Sequence, residues 1–517
     1  MSLITTLARL EAVRAGRAQA RATVLHRHLS DRPLAFVPLT TAGEAGAPLG
    51  AMVGTDRDAP RLLVVAQPRD RDLRFAFLAD LAEAVLPYVE SYADGVEAEE
   101  RKETDPETGR KVPVEVELCT DAPQLLVPSA AGVEFVRLLG RSMRFRRTAE
   151  DDPDTPYPAP ARVPLLGRWL THYGERSRVP GSSLLLPMTG LLSRHWATGQ
   201  SHVEDQHLGA LLAWIDPPEG ESGAEAALRA ETGRGPDGLL CCPPAGPATD
   251  PAFDNRLLAP ATARYDAARA AGSPAALSRA EAEIRDLLAS QLRPSWDALW
   301  RGADLLRTLP EGARVADRWK RDRWSYTGHR DRVRAGEPPQ PKRDDAVAAA
   351  QKLAVRETAQ ARLDAQEALD DPLVMAERRV AGEAFAGRVT EVEMAYSDAK
   401  VPRPRPLVTV LTEDRPQLAE SAKVYRALAG GKTQTGEFVS YAPGGPVVRL
   451  TGGMGRGKVP EEGSVPQEGD HVCWTLFEHA PRGGPELPDA EAVPWTHGGP
   501  PAAVAEAPDP VTDEDFV

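Results

Sequence analysis

Hydrophobic residues recur with two different periods along this chain, and the changes of period limit the folds that it can adopt. Three short apolar runs between residues 34 and 66 have the length of strands and end at Gly, Pro or Asp. In Asp72–Glu90 the spacing becomes four residues, as on one face of a helix. We therefore predict a multidomain α+β protein in which residues 1–147 form an α/β domain.

The order of these elements resembles a known fold. A further apolar run at Gln124–Pro128 and a helix capped by Ser129 complete a series of three strands, a helix, a strand and a helix. This order resembles the ribonuclease-H-like fold, whose activity needs metal-binding carboxylates on the first and fourth strands. The corresponding runs here, LAFVPL and QLLVP, contain neither Asp nor Glu. The resemblance therefore implies the topology without the catalytic carboxylates, and strand order alone carries little functional information.

A charged hairpin interrupts this first domain. Val112–Leu118 alternates apolar and polar residues, and Asp105–Gly109 supplies a turn. Residues 94–117 hold nine acids and four bases. We therefore predict a protruding arm and not a core element.

The middle of the chain alternates between connections and helices. Prolines and acids in residues 148–162 predict a linker, and residues 163–216 have helical periodicity. Residues 217–252 form a long connection, which is typical of a domain boundary or a functional loop. Residues 253–385 are predicted to be a helical domain, with a break between two helices near Pro294.

The pattern becomes that of strands in the C-terminal part. Five β-branched or aromatic runs within residues 386–478 alternate with a period of two and are separated by Gly and Pro. They predict a small β-barrel with a helix at Leu418–Ala429. The OB-fold is the simplest candidate, and an SH3-like barrel fits the same pattern. Residues 479–517 hold eight acids against one base, Arg482, which predicts a disordered acidic tail.

A glycine-rich loop of the barrel carries part of a phosphate-binding motif. Gly452–Lys458 fits the pattern G-x-x-x-x-G-K. A nucleotide site also needs Ser or Thr after the Lys and then a helix, whereas Val459 and Pro460 follow here. We therefore predict a cationic hairpin loop whose Arg456 contacts a phosphate backbone together with the Lys.

The strongest local charge anomaly is Arg314–Arg343, with ten bases, four acids and three interleaved aromatic residues. Guanidinium groups neutralise phosphates and aromatic rings stack on unpaired bases, so this composition suits single-stranded nucleic acid. An exposed helix face whose tryptophans pack inward has the same composition, and this alternative stays open. A second cationic patch, Arg137–Arg147, strengthens the binding hypothesis only if both patches share a surface. With the barrel loop included, the predicted nucleic-acid-binding residues are Arg314, Arg318, Trp319, Lys320, Arg321, Arg323, Trp324, Tyr326, Arg330, Arg332, Arg334, Arg456 and Lys458.

The sequence contains no complete catalytic or metal-binding motif. His195, His202 and His207 lack the three- or four-residue spacing of a zinc site on a helix, and no Cys-x-x-Cys occurs. We therefore predict no catalytic residue, no metal and no cofactor, and a non-enzyme is favoured. Four cysteines in 517 residues, together with the lack of a signal peptide and of a membrane-length apolar run, predict a cytoplasmic protein.

The acidic excess of the chain is concentrated in two segments. Of the net charge of −14, the tail contributes −7 and residues 94–117 contribute −5, so the rest of the chain is near neutral with basic patches. The amino-acid usage resembles that of high-GC bacteria, which carries no information about function. From the basic segment and the predicted barrel we expect a non-catalytic nucleic-acid-binding or accessory protein of a bacterial complex that takes single-stranded DNA or RNA. One alternative is a scaffold subunit that contacts a helicase or nuclease through its helical domain, its arm or its acidic tail. Another is an unrecognised hydrolase.

Overall fold

The computed structural model describes residues 3–104, 109–236, 238–244, 246–339, 346–455 and 457–481. These residues form two compact units. The sheet unit comprises the described part of residues 9–20 and 25–346, and the barrel unit comprises that of residues 3–8, 21–24 and 347–481. A mixed sheet with helices, a helical middle and a C-terminal antiparallel barrel together confirm the predicted multidomain α+β architecture.

The elements have the following bounds. The helices are α1 (Leu3–Ala15), α2 (Arg71–Glu90), α3 (Ala130–Met143), α4 (Val163–Arg176), α5 (Met188–His195), α6 (Leu208–Ile215), α7 (Gly223–Thr232), α8 (Pro251–Phe253), α9 (Ala259–Ala270), α10 (Pro274–Arg307), α11 (Val315–Arg334), α12 (Ala346–Asp370) and α13 (Pro372–Val380). The strands are β1 (Gln19–Ala20), β2 (Leu34–Thr40), β3 (Pro48–Gly54), β4 (Arg61–Val64), β5 (Val96–Thr104), β6 (Lys111–Cys119), β7 (Leu125–Val127), β8 (Leu185–Pro187), β9 (Trp196–Ala197), β10 (Ala384–Glu393), β11 (Leu407–Leu411), β12 (Lys423–Ala427), β13 (Thr433–Ala442), β14 (Gly445–Leu450) and β15 (His471–Thr475).

Five strands form the mixed sheet of the sheet unit, in the order β4-β3-β2-β7-β8. β3 is antiparallel to β2 and to β4, whereas β7 is parallel to β2 and to β8. Four of these strands lie at the apolar runs that predicted them, and the predicted helices α2 and α3 follow β4 and β7. The N-terminal α/β prediction is thus confirmed at the level of a mixed sheet with helices.

Helices cover both faces of this sheet. Along β2, Leu34 and Phe36 belong to one core with α2, α3 and α4. The alternate residues Ala35, Val37 and Leu39 belong to a second core with α5, α6 and α10. A strand that is buried on both faces is apolar throughout, which explains why LAFVPLT carries no charge.

The edge strand β8 lies within residues 163–216, for which the pattern predicted helix throughout. The prediction is wrong at this point because Leu185–Pro187 is a three-residue strand between α4 and α5. An apolar run that short fits a helix and a strand equally well. Its parallel pairing with β7 completes the sheet.

The predicted break near Pro294 is also wrong, because α10 continues through this residue. A proline inside a helix removes one backbone hydrogen bond. On the C-terminal side of the proline, Trp296, Leu299 and Trp300 are buried in the second core of the sheet, and Ile284 and Leu288 are buried there on the other side. Packing against one surface therefore keeps both halves in a single helix.

The predicted charged hairpin is present as β5 and β6. The two strands pair antiparallel over nine positions, from Val96 opposite Cys119 to Thr104 opposite Lys111. They bond to no other strand of the described residues. Only the last residues of β6 are buried, so the distal part of this arm is exposed. Most of the predicted turn, residues 105–108, lies outside the described residues.

The barrel is a closed antiparallel sheet of six strands, in the order β10-β11-β14-β13-β12-β15. The helix predicted at Leu418–Ala429 is wrong, since this segment contains β12. Val424 and Arg426 alternate with exposed neighbours and point into a barrel whose core includes Trp474. The structure thus confirms a small antiparallel barrel, with one strand more than the five that the sequence pattern predicts.

Of the predicted acidic tail, residues 482–517 lie outside the described residues. None of the helices that the structure describes is long and apolar enough to cross a membrane.

α3 and α4 cross at two glycines in the sheet unit. A Cβ atom on Gly140 would lie 2.5 Å from the backbone nitrogen of Thr171, and one on Gly167 would lie 2.5 Å from the backbone nitrogen of Arg144. Neither distance leaves space for a side chain, and both atoms that would be struck belong to the backbone. The two helices therefore need glycine at their crossing.

We expect Gly140→Ala to lower the free energy of unfolding by about 1–3 kcal/mol, because the new methyl group must push the helices apart. The matched control is Gly328→Ala in α11, where the nearest atom to a Cβ is 3.8 Å away. This control should stabilise by about 0.5–1 kcal/mol, as alanine replaces glycine within a helix. Urea unfolding followed by circular dichroism measures both. Equal midpoints for the two variants would contradict the close crossing.

Candidate functional site

The basic segment predicted to bind nucleic acid forms α11, and four of its predicted binding side chains are buried. Arg318, Trp319, Tyr326 and Arg330 are each less than 10% exposed. Trp319 and Tyr326 belong to the core that α2, α3 and α4 share with the sheet. Because these two rings pack inward, they are not placed to stack on a base.

Each of these four side chains bonds to the protein itself. The guanidinium of Arg318 donates to the carbonyl of His26 at 3.1 Å, and that of Arg330 donates to the carbonyl of Ala93 at 2.7 Å. The Tyr326 hydroxyl donates to the carbonyl of Val89 at 2.7 Å. The Trp319 indole donates to the carboxylate of Asp121 at 2.9 Å.

The outer side of α11 is neutralised by acids of the arm and of the loop before it. Lys320 pairs with Glu99, and Arg323 pairs with Glu97. These carboxylates lie more than two hundred positions away in the sequence. The positive charge of α11 is therefore largely paired within the molecule.

The remaining predicted residues of α11 and its flanks have several environments. Arg334 donates to Asp94 at 2.6 Å, and the guanidinium of Arg101 lies 5.8 Å from the centre of the Trp324 ring. Arg314 and Arg321 are half-buried and also have partners. Arg332 lines a cavity between α4 and α11.

The barrel loop is placed only in part. Lys458 is exposed, and no helix follows it before β15. The predicted partner residue Arg456 lies outside the described residues. The lack of a helix after this motif in the described residues agrees with the prediction that Val459 and Pro460 do not begin one.

Asp322 is a fully buried carboxylate in α11. It accepts hydrogen bonds from the guanidinium of Arg176 at 2.8 Å and from the Ser182 hydroxyl at 2.8 Å. The backbone N–H of Ser183 donates a third bond at 2.6 Å. These bonds fix α11 against the end of α4 and the segment that enters β8.

Three adjoining cavities of the sheet unit form a surface that we call the arginine groove. The first, the α4–α11 cavity, has a volume of about 200 Å³; the middle cavity has about 920 Å³ and the outer cavity about 470 Å³. The first two share Arg144 and Arg168, and the last two share Arg146 and Tyr157. The arginines that line the groove are Arg71, Arg74, Arg144, Arg146, Arg147, Arg168 and Arg332.

The groove joins the two cationic patches of the sequence. Arg144, Arg146 and Arg147 belong to the patch Arg137–Arg147, and Arg332 belongs to the basic segment Arg314–Arg343. Because the α4–α11 cavity is lined by both Arg144 and Arg332, the patches do share a surface there. The shared surface involves one residue of α11 and not the helix as a whole.

Four acids also line the groove: Glu150, Asp151, Glu175 and Glu337. The Asp151 carboxylate accepts bonds from the backbone and the hydroxyl of Thr148, and these bonds lower its pKa. Arg147 pairs with Asp152 at 2.9 Å. Seven arginines against four acids leave the described lining of the groove positively charged.

The α4–α11 cavity lies between one face of α4 and one face of α11. Arg168, His172 and Glu175 lie on one face of α4, and His329 and Arg332 lie on one face of α11. Within the part of the chain that the structure describes, neither the Arg168 nor the Arg332 side chain forms a hydrogen bond or a close ion pair. Burial lowers the pKa of Arg168, Glu337 opposes this effect, and Arg332 adds to it.

Two histidines stack on each other in this cavity. The rings of His172 and His329 lie 4.3 Å apart at 12°, and the indole of Trp169 meets His329 edge-on at 4.7 Å. Burial, and secondarily the nearby charges, lowers the pKa of His329 to about 3 and holds that of His172 well below its usual value. The Nε2 atom of each ring is buried and has no hydrogen-bond partner among the described residues. Two histidines that line the cavity thus each bury a nitrogen without a partner among the described residues.

The outer end of the groove exposes an aromatic ring. Tyr157 is 61% exposed and has a φ of 63°, which is rare for a residue other than glycine. The guanidinium of Arg71 lies 3.5 Å from the centre of its ring. An exposed ring stacked on a guanidinium is a surface on which a nucleobase can stack.

No sequence pattern indicated that the groove would be lined by Arg71, Arg74, Arg168, His172 or His329. On α4, spacings of four and three between an arginine, a histidine and a glutamate were the available signal. No motif connects α4 with α11, so their convergence depends on the fold. No group of three or more His, Cys, Asp or Glu side chains in the described residues is arranged to hold a metal ion.

Comparisons with protein-family models, curated proteins and solved structures found no match to this chain.

We expect the protein to lose stability between pH 7 and pH 5 in part through the histidine pair. Because both folded-state pKa values are lowered, the unfolded chain takes up protons near its ordinary pKa of about 6.5 while the folded chain does not. The midpoint of thermal unfolding should therefore fall less over this range in His329→Asn than in the original protein. The exposed His202→Asn is the control and should leave the pH dependence unchanged. Identical pH dependence in His329→Asn would contradict the buried, neutral state.

Proposed function

We propose that this protein binds single-stranded DNA or RNA through the arginine groove and does not cleave it. The observation that carries this proposal is the row of three adjoining cavities lined by seven arginines, of which Arg74, Arg168 and Arg332 lack close ion-pair partners among the described residues. Guanidinium groups neutralise backbone phosphates and form paired hydrogen bonds with them. Concave cavities of this kind suit a flexible strand whose backbone follows the groove.

Aromatic side chains along the groove support a single strand over a duplex. Tyr157 is exposed, and Phe145 is half-buried beside Arg144, whose guanidinium lies 4.6 Å from its ring centre. Stacking on such rings needs unpaired bases, which a duplex does not offer. The exposed Lys458 of the barrel unit stays a separate prediction of a phosphate contact, apart from the groove.

The proposal includes a ribonuclease-H-like topology for the sheet, without the activity of that fold. In support, the antiparallel strands β2, β3 and β4 are followed by a helix, and β7 then lies parallel to β2 on its other side. Cleavage in that fold needs carboxylates on the strands that correspond to β2 and β7. These strands read LAFVPLT and LLV and offer none. Binding without metal-dependent cleavage is the function that this residue set favours.

We expect Arg74→Ala and Arg168→Ala each to weaken binding of a fluorescent single-stranded oligonucleotide about tenfold at low salt, as one charge-assisted contact is lost. Each should also reduce the slope of log affinity against log salt concentration by about one. Arg293→Ala is the matched control, because this arginine is exposed on α10 outside the groove and pairs with Asp297. Anisotropy titrations at several salt concentrations measure both quantities.

Two results would overturn the proposal. One is the absence of binding to any DNA or RNA strand at low salt. The other is an equal loss of affinity in the Arg293→Ala control, which would indicate unspecific attraction to the whole surface.

The arm favours a second candidate function, a scaffold subunit that contacts a helicase or nuclease. Its strands form a separate two-stranded sheet, and Val112 on its distal part is exposed. The base of the arm packs on α11, where Arg323 donates to the carbonyl of Cys119, so the exposed distal part can present an apolar side chain to a partner. The scaffold proposal therefore makes the arm a docking element.

We expect Val112→Asp to abolish co-purification of a stoichiometric protein partner after nuclease treatment, because a charge replaces an exposed apolar contact. Lys111→Arg, which keeps the charge of the neighbouring residue, is the control and should retain the partner. A partner that is lost on nuclease treatment alone would exclude the scaffold function and favour binding through nucleic acid.

A further inference from the structure

We propose that the α4–α11 cavity takes the terminal phosphate of a strand, so that the protein recognises a phosphorylated end of single-stranded nucleic acid. This inference rests on the proposed function, and it assigns one part of the groove to one chemical group, a phosphate monoester. Three features of the molecule support it: the dimensions of the groove, the charges in the cavity and the histidine pair.

The cavities differ in size in the way that a strand end requires. The middle cavity, with about 920 Å³, has the volume of a site for a nucleotide-sized ligand. The α4–α11 cavity has only about 200 Å³ and shares Pro338 and Pro339 with the middle cavity as a common wall. A chain that follows the groove can therefore place a small terminal group in the α4–α11 cavity, which is too small for a further nucleoside.

The charges of the cavity suit a group with more than one negative charge. A phosphate monoester carries about −1.5 to −2 at neutral pH, whereas an internal phosphodiester carries one charge. Arg144, Arg168 and Arg332 line the cavity, and Arg168 and Arg332 have no close ion-pair partner among the described residues. Burial lowers the pKa of Arg168, Glu337 opposes this effect and Arg332 adds to it, so a bound dianion would favour the charged guanidinium.

Acids in the lining do not cancel this preference. Glu175 and Glu337 are exposed, as is Arg332, so water and salt screen these three charges alike. Arg168 is partly withdrawn from water, and its interaction with a bound anion is screened less. The cavity therefore favours one compact anion over an extended polyanion.

The histidine pair supplies hydrogen-bonding capacity that the protein leaves unused. His172 and His329 each bury an Nε2 atom that has no partner among the described residues. A buried polar atom without a partner costs about 1–3 kcal/mol. A neutral imidazole can carry its proton on Nε2, and a rotation of either ring toward the cavity would let that nitrogen donate to a phosphate oxygen. A terminal phosphate has three oxygens for such bonds, one more than the two non-bridging oxygens of an internal phosphodiester.

The test compares three single-stranded oligonucleotides of one sequence, each with an internal fluorescent label. One carries a 5′-phosphate, one carries a 3′-phosphate, and one has hydroxyl groups at both ends. We expect one phosphorylated strand to bind at least about tenfold more tightly than the hydroxyl strand, since two charge-assisted contacts are added. Anisotropy titrations at low salt measure the three affinities.

Variants assign this preference to the α4–α11 cavity. Arg332→Ala and His329→Gln should each abolish the preference, so that the phosphorylated strand and the hydroxyl strand bind the variant with equal affinity. Arg74 lines only the outer cavity, so Arg74→Ala is the matched control. It should weaken all three strands equally and keep the preference.

The possible outcomes separate the inference from the proposed function. Equal affinity for the three strands would overturn the terminal-phosphate inference and leave the binding function standing, whereas binding of none would overturn both. A nucleoside monophosphate that displaces the phosphorylated strand at equal concentration would show that the cavity binds free nucleotide and not a strand end. A preference that survives in Arg332→Ala and His329→Gln would also overturn the inference.

Discussion

The buried carboxylate of Asp322 holds together the elements on which the candidate site depends. A charge that is removed from water must be compensated by several donors, and loss of a partner from such a group costs about 3–5 kcal/mol. Its donors come from Arg176 at the end of α4 and from Ser182 and Ser183, which lead into β8. One side chain of α11 thereby fixes this helix relative to α4 and to the edge of the sheet. The stacking of His172 on His329 follows from that placement.

The charges of α11 show why local composition was a limited guide to the site. As a segment it is strongly basic, yet Glu97 and Glu99 of the arm neutralise Lys320 and Arg323, and its aromatic residues Trp319 and Tyr326 complete a core. The arm supplies part of the acid excess that was counted separately in the sequence. Opposite charges that are distant in the chain pair in the fold, and a charge count over a window of residues does not detect this pairing. The groove lies instead where arginines converge without enough acids to pair with them.

The sequence predicted those parts of the fold in which a single segment shows a clear hydrophobic pattern. Leu34–Thr40 is apolar because both of its faces are buried, and the strands of the barrel alternate because only one face is buried. β8 was missed because three residues are too few to define a period. β12 was missed because a partly charged segment was interpreted as an amphipathic helix, although its inward residue Arg426 is buried and donates to the carbonyl of Ser464. The site itself was missed for a different reason, since its residues come from α4 and α11 and only tertiary packing brings them together.

The close crossing of α3 and α4 determines which residues can vary in proteins of this kind. Gly167 lies against the backbone of Arg144, so the position of an arginine that lines the groove depends on a residue without a side chain. An arginine can be replaced by lysine, or moved by one helical turn, and still offer a positive charge to a phosphate. A glycine whose added Cβ atom would lie 2.5 Å from a neighbouring backbone nitrogen has no substitute that keeps the two helices this close. In a search for distant relatives of this chain, Gly140 and Gly167 with the spacing between them should therefore be a more lasting signature than the arginines.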